Sequence, residues 1–151
     1  MSSSTRRGRG GFTLLELLVV LAIIATLAGV VAPGLFRNVG DAQRTAARTQ
    51  IEMFALALES YRLDNGDYPT TEQGLQALRT MPSGAEPPRN WRGPYLTKPV
   101  PQDPWGRSYE YRAPGRANPQ SYDLYSLGKD GRPGGEQEDA DVTSWGEAVA
   151  P

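Results

Sequence analysis

The chain has 151 residues and a net charge of −1, enough for one modest domain with an appendage and a balance that suggests neither a nucleic-acid binder nor a polybasic membrane-surface protein. It contains no cysteine and no histidine. That removes disulfide frameworks, thiolate zinc sites, serine–histidine triads and most transition-metal centres, leaving carboxylates and backbone oxygens, so catalysis is not expected.

The chain begins with a short basic leader carrying Arg6, Arg7 and Arg9, followed by 21 residues from Phe12 to Ala32 with a single formal charge, Glu16. An ordinary cleaved secretory signal fits poorly. The apolar run is too long, and the exit Val30-Val31-Ala32 would leave Pro33 as the first mature residue. As a helix the run reaches about 31 Å, the thickness of a bilayer's hydrocarbon. Its thirteen strongly apolar side chains contribute together about 5 kcal/mol of insertion energy, against roughly 2.5–3.5 kcal/mol for a central acid. The segment therefore inserts despite Glu16, whose plain explanation is a side chain snorkelling to the interface. The basic leader places the amino end in the cytoplasm and the rest of the chain on the far side.

Pro33 cannot donate to the carbonyl of Gly29, so the helix should kink or partly melt there, or simply end. Beyond it, Ala47, Ile51, Phe54, Leu58 and Tyr61 recur at helical spacing, with Arg44, Arg48, Glu52 and Glu59 available to water. This amphipathic helix should run to about Asp64, with Asn65-Gly66 supplying the left-handed C-cap. Helix from Phe12 to Leu63 would reach roughly 78 Å, and its exposed apolar half demands lipid or other subunits.

In the remaining residues, Thr70 and Gln73 form a capping-box pattern ahead of a short helix with Leu75 and Leu78 on one face. Residues 80–106 carry Pro82, Pro87, Pro88, Pro94, Pro99, Pro101 and Pro104 and read as loop. Strands are expected at Ser108–Arg112, with Tyr109 and Tyr111 on one face, and at Ser121–Leu127, together forming a small antiparallel sheet on the helix stripe. Trp91, Trp105 and Trp145 could build a recognition platform, but in a head this small core packing is the stronger reading. The stretch from Ser126 to Asp141 sets several carboxylates among glycines. Hard oxygens suit calcium, yet the EF-hand spacing is missing, and from chemistry alone a solvated acidic loop is favoured.

Two motifs add to this reading. Gly11-Phe12-Thr13-Leu14-Leu15-Glu16 behind a basic leader resembles the processing site of type IV pilins and type II secretion pseudopilins. Near the carboxyl end, SLGKDG, then GG, then DADV is similar to the calcium loop of the major type II secretion pseudopilins. The resemblance implies cleavage after Gly11 by prepilin peptidase and N-methylation of Phe12. It implies an α+β, type IV pilin-like fold: a long N-terminal helix, membrane-spanning in its first half, packed on a small antiparallel sheet with a calcium-binding loop. The parts would be the leader 1–11, the filament-core helix 12–32, the periplasmic helix 33–64 with the familiar Pro33, and the head 65–151. By the same resemblance Asp130 and Asp139 donate side-chain oxygens to Ca2+ and Leu127 its carbonyl, with Asp141 the rival or additional carboxylate.

Cleavage would also supply the partner that Glu16 lacks. At about 4 Å and an effective dielectric of 20, the new Phe12 amine of a neighbouring subunit attracts Glu16 by roughly 4 kcal/mol, comparable with the insertion cost. The function implied is the major structural subunit of a periplasmic pseudopilus that helps export folded proteins. Its implied partners are further copies, minor pseudopilins, an inner-membrane assembly platform and an ATPase acting indirectly. The alternatives are a type IV pilin for adhesion, motility or DNA uptake, many of which close a loop with a disulfide, and a membrane-tethered calcium-dependent binding module.

Overall fold

The computed structural model describes residues 13–84 and 87–146, apart from the side chains of residues 30–38. The expected leader, Gly11 and Phe12 lie outside the described residues, as does the side chain of Pro33. The chain divides into two compact units, residues 1–39 and 40–151.

Helix α1 spans Leu14–Asn65. Its backbone stays helical through Pro33, so of the outcomes expected there neither melting nor termination is adopted. In the first unit Thr13 begins the helix: its Oγ1 accepts the Glu16 backbone N–H at 3.3 Å, an N-cap geometry. The apolar side chains of the next turns, among them Leu14, Leu17, Leu21, Ile24 and Leu27, are exposed. Among the described residues no helix is long and apolar enough to cross a membrane; the expected span continues to Ala32, past the last described side chain.

In the second unit the stripe read from the sequence is the core. Ala47, Ile51, Phe54, Leu58 and Tyr61 are at most 3% exposed, joined by Ala57. Each such large apolar side chain contributes roughly 1.5–3 kcal/mol on burial. Arg48 and Glu52 face water as expected, whereas Arg44 and Glu59 are half-buried. Glu59 is drawn in because its carboxylate accepts the Tyr68 hydroxyl and pairs with Arg62 at 3.0 Å. α1 ends as expected at Gly66, whose φ of 89° and N–H to the Arg62 carbonyl (2.7 Å) close the last turn.

The capping box forms with both of its bonds: Thr70 N–H donates to Gln73 Oε1 at 3.0 Å, and Gln73 N–H to Thr70 Oγ1 at 3.2 Å. It leads into a single 3-10 turn, Leu75–Leu78, with both leucines buried. The proline-rich stretch carries no regular element among its described residues. Strands β1 (Glu110–Arg112) and β2 (Asp123–Ser126) are shorter than expected, and a third, β3 (Val142–Thr143), completes an antiparallel sheet of order β1-β2-β3.

Register places Tyr111 opposite Leu124 and Ser126 opposite Val142. Leu124 of β2, fully buried, and Tyr122 just before the strand join the core cluster of the α1 stripe, where Phe54 meets Tyr109 edge-on at 5.2 Å. Trp91 and Trp105 pack against this core as expected. Trp145 instead sits edge-on to Tyr125, on the alternate side chain of β2, at 5.8 Å.

Candidate functional site

Two regions carry the expected site residues, the start of α1 and the loop between β2 and β3. At the first, Glu16 lies exposed in the first turn of α1, where the helix dipole favours a carboxylate. Thr13 and Glu16 stand three apart, the spacing of a capping box, a local signal for this carboxylate that the apolar run obscures.

The β2–β3 loop is built on glycine. Gly128 has φ 63°, and a Cβ there would lie 2.8 Å from the carbonyl oxygens of Asp139 and Ala140. Gly135, at φ 88°, would meet the Asp139 oxygen at 2.4 Å. Both halves of the loop therefore close on the short 3-10 turn Gln137–Asp139 only because neither glycine carries a side chain. Lys129 fastens the closure: its N–H donates to the Glu138 carbonyl at 3.2 Å and its Nζ pairs with the Glu138 carboxylate.

Asp141 is half-buried and lies within the field of Asp130, whereas Asp139 is exposed. Asp141 Oδ2 accepts the Gly134 N–H at 2.9 Å, while its Oδ1 is buried with no hydrogen-bond partner among the described residues. Burial pushes the Asp141 carboxyl above its ordinary value; the Gly134 N–H opposes this and the nearby Asp130 charge adds to it. Asp130 Oδ1 accepts the Arg132 N–H at 3.0 Å. Asp139 is exposed on the 3-10 turn, within the field of Lys129. The Leu127 carbonyl accepts the Gly131 N–H at 3.2 Å.

Among the described residues, no group of three or more His, Cys, Asp or Glu side chains is placed to hold a metal ion. Any site here depends on main-chain oxygens as well as acids, a donor mixture calcium accepts. The buried, unpartnered oxygen of Asp141, in the field of the Asp130 carboxylate, fits such a hard cation.

Two side chains that no site motif marks in the sequence, Asp103 and Arg107, organise this end of the molecule, and a third, Asp123, organises the turn that precedes β2. Asp103 is 5% exposed and accepts the N–H groups of Trp105 (3.1 Å) and Arg107 (2.8 Å) and the Ser126 hydroxyl (2.5 Å). Asp103-Pro104-Trp105-Gly106 is a turn signal, with Asp first, Pro second and Gly fourth. Asp123, also 5% exposed, accepts the N–H groups of Arg116, Ala117 and Asn118. Arg107 reaches into the loop, its Nη2 donating to the carbonyls of Gly128 and, at 2.9 Å, Lys129.

Comparison with known proteins decides the relationship. A model of "Type II secretion system (T2SS), protein G" matches residues 34–145, and one of the "Prokaryotic N-terminal methylation motif" matches residues 6–32. The chain belongs to the type II secretion system protein G family. It is 46% identical over 140 residues to a type II secretion system core protein G of Pseudomonas aeruginosa, covering 93% of this chain and 97% of that one. To the core protein G of Vibrio cholerae it is 45% identical, covering 92% and 93%. The crystal structure of the major pseudopilin from the type 2 secretion system of enterohaemorrhagic Escherichia coli superposes with a TM-score of 0.63 at 39% identity, covering 75% of this chain and 95% of that one. The pseudopilin-like α+β fold read from the sequence is thus the fold of this protein G family member. The long helix on a three-stranded antiparallel sheet accords with it.

Proposed function

We propose that the chain is the major structural subunit of a type II secretion pseudopilus, polymerising into a periplasmic filament that helps move folded proteins through the outer membrane. The observation that carries this reading is the run of large apolar side chains from Leu14 to Leu27, each at least 46% exposed in the single chain. Such a surface needs lipid before assembly and neighbouring subunits after it. On this reading the chain sits in the inner membrane with its amino end in the cytoplasm and its head in the periplasm. It is cleaved after Gly11 and methylated on Phe12, and it carries no catalysis of its own. Minor pseudopilins and the inner-membrane platform would be its partners.

The Phe12 amine of one subunit would then neutralise Glu16 of the next. Cysteines placed along residues 17–27 should give cross-linked ladders in membranes, and adding Glu16→Ala should keep insertion while abolishing the ladders. Monomers alone from the cysteine variants that retain Glu16 would sink the filament reading.

Calcium would be held by Asp130 and Asp141, with the Leu127 carbonyl as a backbone ligand and Asp139 as the rival carboxylate. Support comes from the buried, unpartnered Asp141 Oδ1 in the field of the Asp130 carboxylate. Bound there, the ion would neutralise these acids and fasten the loop to the sheet. Calcium should raise the melting temperature of the wild-type chain and leave that of Asp141→Asn nearly unchanged; identical curves with calcium and chelator for both would remove the site.

A further inference from the structure

Between Gly128 and Asp141 the loop holds five carboxylates and two basic side chains. A third positive charge enters from outside it. Arg107 is fixed through its main chain: its N–H donates to Asp103 Oδ1 at 2.8 Å, and its carbonyl accepts the Asp103 N–H at 2.7 Å. Asp103 in turn accepts the hydroxyl of Ser126, the last residue of β2. The guanidinium is thereby anchored to the strand from which the loop departs. Its Nη2 meets two successive carbonyls, Gly128 and Lys129, and its plane lies over Gly131, where a Cβ would be 3.0 Å from Cζ. Gly131 has φ 70°.

We propose that Arg107 is the resident cation of this loop, a positioning residue whose guanidinium clamps the 128–129 turn by its carbonyls and holds the loop's shape with no metal bound. Main-chain carbonyls turned toward a positive centre are what a calcium ion would otherwise provide for. A guanidinium suits the place because it is planar, permanently charged and offers several donors in fixed directions. Hydrogen bonds from a charged donor are roughly twice as strong as neutral ones. Lysine, with a single mobile ammonium, could reach one carbonyl but could not lie flat over Gly131.

The test is backbone hydrogen–deuterium exchange of residues 128–141 in the full chain, detergent-solubilised, in excess chelator. Wild type should exchange slowly, Arg107→Met at least tenfold faster, and Arg107→Lys between them, with α1 residues 47–61 unchanged in all three. Equal exchange of wild type and Arg107→Met, with α1 still protected, would overturn the proposal. Should Arg107→Met fail to fold, nitrogen-15 spectra of the unmutated chain in chelator decide. One arginine with slowed rotation about its Cζ–Nη bonds supports the clamp, and none overturns it. The proposal is independent of calcium: a wild-type chain that binds no calcium but shows the exchange difference loses only the calcium site.

Discussion

Asp103 accepts two backbone N–H groups and Asp123 three, and each holds a turn that no apolar side chain could fold. Asp103→Ala would leave the buried Ser126 hydroxyl and two amides without their acceptor, so we expect a loss of about 3 kcal/mol in urea unfolding. Asp103 was legible as turn chemistry. Asp123 was not, because nothing local marks a strand residue as the acceptor for a turn five to seven positions earlier. The tyrosines set the alkaline limit of the fold. Burial pushes Tyr109 and Tyr122 up to about 12 from 10, helped at Tyr109 by the Asp103 charge and at Tyr122 by Tyr68. Above pH 10 the unfolded chain releases these protons while the folded chain keeps them, so stability falls as pH rises. Urea midpoints should decline from about pH 10 to 12, and Tyr109→Phe should shallow that decline.

Along α1 two faces of one helix meet different fates. Leu58 is fully buried and Met53 is 53% exposed, so Leu58→Ala should cost about 2–5 kcal/mol in urea unfolding and Met53→Ala at most about 0.5 kcal/mol. The core stripe was readable in advance because large apolar residues recurring every three and four positions match one face of a helix and neither a strand nor a loop. Strand β3 escaped notice because two residues, Val142 and Thr143, leave no periodicity to detect. The β2–β3 loop depends on backbone rather than side chains. Gly128→Ala should lower the melting temperature by several degrees, since the new Cβ meets two carbonyl oxygens at 2.8 Å in a left-handed backbone. The sequence left Asp139 and Asp141 as rivals because the spacing from Asp130 to the Asp-Ala-Asp segment varies within the family it resembles. Folding separates them, burying an oxygen of Asp141 and leaving Asp139 exposed.

At the scale of the whole molecule, every described residue of the buried core lies within residues 40–151. A fragment beginning at Gly40 should therefore fold cooperatively and stay soluble; circular dichroism showing no melting transition would contradict this. What the fragment lacks is the run from Leu14 to Leu27, whose large apolar side chains are exposed. On the filament reading that surface passes from acyl chains to neighbouring helices, two surroundings of nearly equal oiliness. The transfer releases little water, so dislike of water cannot by itself set its direction. Growth and retraction would then be nearly balanced, with charge pairing, close helix contact and work done by the secretion machinery tipping the subunit one way or the other.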